Sequence, residues 1–229
     1  MIGIEARRLV GRVLRASTVG FDCGTRGSHL DEELHTFGAY VRTPIGDQPG
    51  AYALGLIYAI RIDDDPLARE LVMASFVDNN ALIDQRENRM VPIEIGVVNV
   101  GFMYEGILMQ SLPPRPPMSL AQVELCSADE VYQFTQRCDF FRLVINAKEV
   151  PSDELIAAAI RYASWAYPEN ERYDFSVRCG RHLARLLSHD LKRLSHVLEL
   201  IKPSAADRLF MPASSNGSGR SNGSSGSGR

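Results

Sequence analysis

Apolar and polar positions follow two different rhythms along the chain. In the first half, short stretches alternate or run apolar over strand lengths; in the second half, apolar residues return every three to four positions. Leu9–Leu14 is a short apolar-rich strand candidate. Gly38–Thr43 alternates and stops at Pro44 and the turn cluster Gly46-Asp47-Gln48-Pro49-Gly50. Ala51–Ile62 predicts a longer strand, ended by Asp63-Asp64-Asp65-Pro66. That same sequence starts a helix over Leu67 to about Met73, with Asp65 as cap and Pro66 at the first helical position. Ile93–Met103 is dense in β-branched residues, Tyr104-Glu105-Gly106 reads as a turn, and Ile107–Met109 as the return strand. Pro113-Pro114-Arg115-Pro116-Pro117 excludes helix and central strand and predicts an extended crossing. Ala121–Leu125 alternates as one last strand. Five or six short strands with glycine-bearing turns predict a small closed barrel of about six strands rather than a parallel sheet.

The remainder predicts helices. Ser127-Ala128-Asp129-Glu130 is a capping box that turns Val131 and Phe134 toward a core. Pro151-Ser152-Asp153-Glu154 opens a helix with Leu155, Ile156, Ala159, Ile160 and Ala163 on one stripe, closed by Pro168. A third helix is expected from about Asp174 to His189, and Asp190 caps a fourth that reaches Ile201 before Pro203. The expected fold class is α+β: a β-barrel over 1–126, a helical region over 127–203, and a flexible Ser/Gly/Asn-rich tail over 204–229.

Composition narrows the function classes. The balance of 25 Lys+Arg against 28 Asp+Glu gives a net charge of -3 and excludes a strongly basic nucleic-acid coat. No run approaches the roughly 18 apolar residues of a membrane span, and Met1–Arg8 lacks the apolar core of a signal peptide. Cys23, Cys126, Cys138 and Cys179 are far apart with no CxxC pair, which argues against zinc and fits reduced thiols in a cytoplasmic protein.

Motifs for catalysis are missing. GxxxxGK[ST] is absent, and none of the three lysines (Lys148, Lys192, Lys202) follows a glycine. No H-E-x-x-H helix and no GxGxxG loop occur. His182, His189 and His196 recur every seven residues, about 10.5 Å apart on a continuous helix, too far to share a metal. Ordinary helix histidines are the favoured reading. Asp31-Glu32-Glu33 and Asp63-Asp64-Asp65 are oxygen-rich, but helix capping is favoured over a metal for the second. Cys23 before Gly24 reads as a turn cysteine, whose redox role needs a basic neighbour. Pro113-x-x-Pro116 fits a rigid connector better than a groove ligand. Arg178, Arg181 and Arg185 share one helical face, and Arg7, Arg8, Arg12 and Arg15 crowd the first strand. Either cluster suits phosphates, although a solvated face paired with acids such as Glu171 and Asp174 is favoured. No catalytic, cofactor or metal residue is expected.

The order of the pieces is more specific than any one of them. Val10–Val13, Gly38–Val41, Ala53–Ile60 with a helix behind it, a glycine-bearing strand, the proline block, then Val123–Leu125 and Ser127–Glu130 follow one another. This order resembles the HAS-barrel domain of HerA-type DNA translocases and the ATP synthase, over roughly residues 8 to 135. In that family the barrel precedes a RecA-like ATPase and serves as an assembly and docking platform. Here helices follow the barrel and no motor motif is present, so the resemblance implies no ATPase activity. It implies a non-enzymatic interaction protein that docks on or regulates a HerA-like or ATP-synthase-like ATPase ring, or self-assembles. The contact surfaces expected are the barrel edges around Tyr40 and Tyr58, the proline block with Arg115, and the face of Arg178, Arg181 and Arg185. The alternative is a nucleic-acid-binding barrel module acting in DNA processing.

Overall fold

Alternation in the first half becomes a chain of antiparallel pairings that returns to its start. The computed structural model describes residues 9–27, 34–62 and 91–202. The strands are β1 (Leu9–Ala16), β2 (Gly20–Gly27), β3 (Tyr40–Pro44), β4 (Ala51–Ile62), β5 (Val91–Tyr104), β6 (Ile107–Met109) and β7 (Gln122–Leu125). They pair in the order β2-β1-β7-β3-β4-β5-β6, and a further β2–β5 pairing closes the sheet. Six strands therefore form a closed antiparallel barrel, and β6 is an extra strand on β5. Closure leaves none of the six with a bare edge along its full length.

The long β4–β5 ladder runs from Ala51↔Tyr104 to Ile62↔Ile93 and is broken by two register shifts, at Leu54/Gly55 and Ile57/Ala59. Such bulges add local twist and let a long ladder curve around a small barrel. The β5–β6 turn needs positive φ at both central positions, which Glu105 (49°) and Gly106 (81°) provide.

The expected strands are found, with Gly20–Gly27 added and the helices differing in detail. Gly20–Gly27 is a strand, not a turn, so Cys23 lies inside the barrel wall and is fully buried. Its neighbours explain this: β2 pairs with β1 on one side and with β5 on the other. The helices are α1 (Ala128–Phe134), α2 (Phe141–Ile145), α3 (Ser152–Ser164), α4 (Glu169–Leu186) and α5 (Leu191–Ile201). α4 begins five residues earlier than Asp174, because Pro168 opens it and Glu169 and Glu171 occupy its first turn. The helix 67–73, Asp31–Glu33, Asp63–Asp65, Arg7, Arg8 and the 204–229 tail lie outside the described residues. No helix among the described residues is long and apolar enough to cross a membrane.

Barrel and helices share one hydrophobic core, running from Val10 and Ile95 through Phe134 and Phe140 to Ile160, Leu183 and Val197. α3 is buried nearly all round, from Leu155 to Ile160 with Tyr162 and Ala163. It lies against the start of β3, and Gly38, two residues before that strand at φ +85°, sits so close that a Cβ there would be 2.7 Å from the Cβ of Ala158. α1 is held by the expected capping box: Ser127 Oγ accepts from Glu130 N–H at 3.2 Å, and Ser127 N–H donates to Glu130 Oε2 at 2.8 Å. Glu130 also meets Arg42, a β3 residue only 2% exposed, with Arg42 Nη1 donating to its Oε1 at 2.5 Å. Arg42 Nη2 bonds Glu124 of β7 at 3.2 Å, and its guanidinium lies 4.4 Å from the Tyr52 ring centroid.

Candidate functional site

The barrel positions one short loop against one helix face. α1 ends at Phe134, and residues 135–140 lead to α2. Gln110, just after β6, clamps this loop. Its Nε2 donates to the carbonyls of Phe134 (2.6 Å) and Arg137 (2.9 Å), and its Oε1 accepts from Phe140 N–H at 3.0 Å. Thr135 Oγ1 donates to Val131 O at 2.7 Å and lies 3.0 Å from Tyr167 Oη.

Opposite the loop, Asp174, Arg178, Arg181 and Arg185 recur at helical spacing along α4. Loop and helix enclose a cleft of about 690 Å³ lined by Arg137, Arg178, Arg181, Arg185 and His182, with Asp139 and Asp174 as its carboxylates. Arg137 is ion-paired with Asp139. Arg181 and Arg185 are exposed and make no ion pair among the described residues. Arg178 is half-buried. Its Nη2 donates to Tyr167 Oη at 3.0 Å, its guanidinium lies 5.5 Å from the Phe175 centroid, and its Nε is buried without a partner. Tyr167 stacks on Phe175 at 4.2 Å, and burial raises the Tyr167 pKa. Four arginines against two carboxylates leave the cleft cationic.

Cys138 of the loop borders this cleft, and behind it Cys179 of α4 brings its sulfur within 3.6 Å of the Cys138 sulfur, both buried. With Cys179 donating its S–H, Cys138 is held below the ordinary thiol range, and the charge of Arg178 adds to this. The same hydrogen bond, together with burial, pushes Cys179 up.

The sequence candidates divide. Arg178, Arg181 and Arg185 do share a face and meet in one cleft. Arg115 is exposed within the proline crossing, between buried Pro113 and Pro117. Tyr58 is half-buried and lines a separate groove of about 820 Å³ with Phe21, Val97 and Leu143. Tyr40 is not at a surface edge. It is 2% exposed, its ring meets Phe134, Phe140 and Tyr162 at 6.1 to 6.2 Å, and its hydroxyl donates to Ala159 O at 3.4 Å. It joins the barrel to the helices and is corrected here from an interface residue to a core one.

The two described first-strand arginines are also otherwise engaged. Arg15 pairs with Asp22 and Glu94, both at 2.7 Å, and Arg12 Nη1 donates to Leu120 O at 3.0 Å. The three histidines fall on α4, a turn and α5, so no single helix carries them; His182 meets the Phe141 ring edge-on at 5.9 Å. Missed entirely were Arg137 and the Cys138–Cys179 pair, brought together across 41 residues. No protein-family model matches the chain, and no curated protein matches it.

Proposed function

We propose that this chain is a non-enzymatic docking and assembly module that binds a partner protein through the arginine-lined cleft between the 135–140 loop and α4. The observation that carries the reading is the convergence of Arg137, Arg178, Arg181 and Arg185 from two elements on one concave site. Arginine forks grip carboxylates in two-point contacts, and arginine is enriched where interfaces concentrate their binding energy. The occupant is an acidic segment of the partner. A polyanion fits less well: the whole chain carries a charge of -3, and Asp139 and Asp174 sit in the cleft itself. The barrel's resemblance to the HAS domain supports an ATPase ring of the HerA or ATP-synthase type as that partner.

The test is titration of the purified chain into a purified HerA-type ATPase, followed by light scattering and calorimetry. The expected result is a complex that weakens as salt rises, with Arg181→Glu and Arg185→Glu each reducing affinity about tenfold or more. A complex unaffected by both substitutions removes the cleft from the reading. No complex, together with salt-dependent binding to DNA that these substitutions abolish, replaces docking by nucleic-acid binding.

A further inference from the structure

We propose that Cys138 and Cys179 form a peroxide-reactive dithiol that closes to a reversible disulfide, with Cys138 as the attacking thiolate and Cys179 as the resolving thiol. Three features of the fold carry this. The two sulfurs are 3.6 Å apart, so a disulfide of about 2.05 Å needs them to approach by about 1.5 Å. Cys138 lies in the 135–140 loop, outside any helix, and Cys179 within the 18-residue helix α4, so the two thiols are brought together from separately positioned elements. Cys138 also borders the cleft of about 690 Å³, through which a small oxidant reaches it beside the Arg178 guanidinium.

A reactive cysteine needs thiolate character, a cation nearby and access; Cys138 is only 4% exposed, but it borders the cleft and has the Arg178 guanidinium beside it. The geometry divides the roles: Cys138 borders the cleft, and Cys179 lies behind it on α4. Cys23 is the contrast. Buried in the barrel wall, its thiol is pushed up to about 12 by desolvation, and it has no thiol neighbour at hand.

The chemistry balances with hydrogen peroxide as the oxidant. The Cys138 thiolate attacks one peroxide oxygen, the O–O bond breaks, and hydroxide leaves, giving Cys138 sulfenic acid. Cys179 sulfur then attacks the Cys138 sulfur, the S–O bond breaks, and the departing hydroxyl takes the Cys179 thiol proton to leave as water. Two thiols lose two electrons and two protons in all, and peroxide is reduced to two waters. A dithiol reductant reverses the bond by exchange. The pair is read from its own geometry and does not depend on what the cleft docks.

The test treats the purified, reduced, full-length chain with hydrogen peroxide, then alkylates remaining thiols and maps the peptides by mass spectrometry. Two of the four thiols are expected to disappear first, as one dithiothreitol-sensitive Cys138–Cys179 cross-link. Their loss should run at least about tenfold faster than that of half-buried Cys126. In Cys179→Ala, Cys138 is expected to stop at the sulfenic acid and be trapped by dimedone; in Cys138→Ala, Cys179 is expected to stay reduced. Thiols that remain alkylatable at peroxide levels that oxidise Cys126 overturn the proposal, as does wild-type Cys138 passing to the sulfinic acid without a cross-link. The wild-type map is decisive whether or not either variant folds.

Discussion

Replacing Arg42 by Met removes the cation that joins β3, β7 and the start of α1 while keeping most of the side-chain volume. Arg42 is 2% exposed, and the two carboxylates it meets, Glu124 and Glu130, are each 23% exposed. Two unit charges about 4 Å apart attract by about 4 kcal/mol at an effective dielectric of about 20. Desolvating the guanidinium cancels much of that, so the intact triad is worth little more than an apolar replacement. Removing Arg42 alone is different, because two part-buried carboxylates lose the guanidinium they share. Breaking a buried pair costs about 3–5 kcal/mol, and the partial exposure of both glutamates places Arg42→Met near the lower end, at about 3 kcal/mol. The contact between Arg42 and the Tyr52 ring is lost as well.

Urea unfolding followed by far-UV circular dichroism measures this. For a chain of this size about 3 kcal/mol corresponds to a fall in Tm of roughly 6–12 °C. Two comparisons isolate the cause. Arg15→Met breaks a surface cluster whose arginine is 66% exposed, where solvent screening leaves such pairs contributing little to stability. The triple replacement Arg42→Met, Glu124→Leu, Glu130→Gln leaves no stranded charge and keeps a capping-box side chain at Glu130, so it should recover most of the loss. If Arg42→Met costs no more than Arg15→Met, or if the triple variant is as unstable as the single one, the stranded-charge argument fails.

Two further outcomes follow from the packing. Gly38→Ala places a Cβ 2.7 Å from that of Ala158 at a φ of +85°, so it should cost about 2–3 kcal/mol in urea by forcing α3 off the barrel. A loss under about 0.5 kcal/mol would show that α3 does not depend on that approach. Cys23 gives a pH dependence: its folded pKa is raised from 9.0 to about 12 by burial. The fold therefore holds the neutral thiol, its contribution is complete below pH 9, and it is lost as pH rises toward 12. In that window the wild type should lose stability more steeply than Cys23→Ala, by up to about 1.4 kcal/mol per pH unit. Parallel curves for the two proteins would remove Cys23 from the account.

The barrel was legible where local chemistry and tertiary pairing agree. Ala51–Ile62 begins after a Gly/Pro turn and ends at acidic residues, and β4 has those bounds. Gly20–Gly27 carries three glycines and only two large apolar or thiol side chains at alternate positions, Phe21 and Cys23. Its strand comes from ladders on both sides, which local propensity does not contain. α2 is five residues long, too short for any period to show. Pro168 was read as an end because a helix preceded it, yet proline followed by acids is equally a beginning.

The candidate site divides along the same line. Arg178, Arg181 and Arg185 are a property of one helix, so their spacing alone places them on one face. Tyr40 sits in an alternating strand, and alternation tells which residues share a face but not what covers that face. Here the covering layer is Phe134, Phe140 and Tyr162, contributed from about a hundred residues further along. The thiol pair is the extreme case. Cys138 belongs to a loop whose position is set by Gln110 after β6, and Cys179 to the buried side of α4. Neither has a CxxC neighbour, so the only signal for their meeting is the packing of α4 against a loop that the barrel holds in place. A thiol pair assembled in this way is invisible to spacing rules, and the same dependence makes its contact sensitive to the clamp. Loosening the 135–140 loop at Gln110 should separate the sulfurs without touching either cysteine.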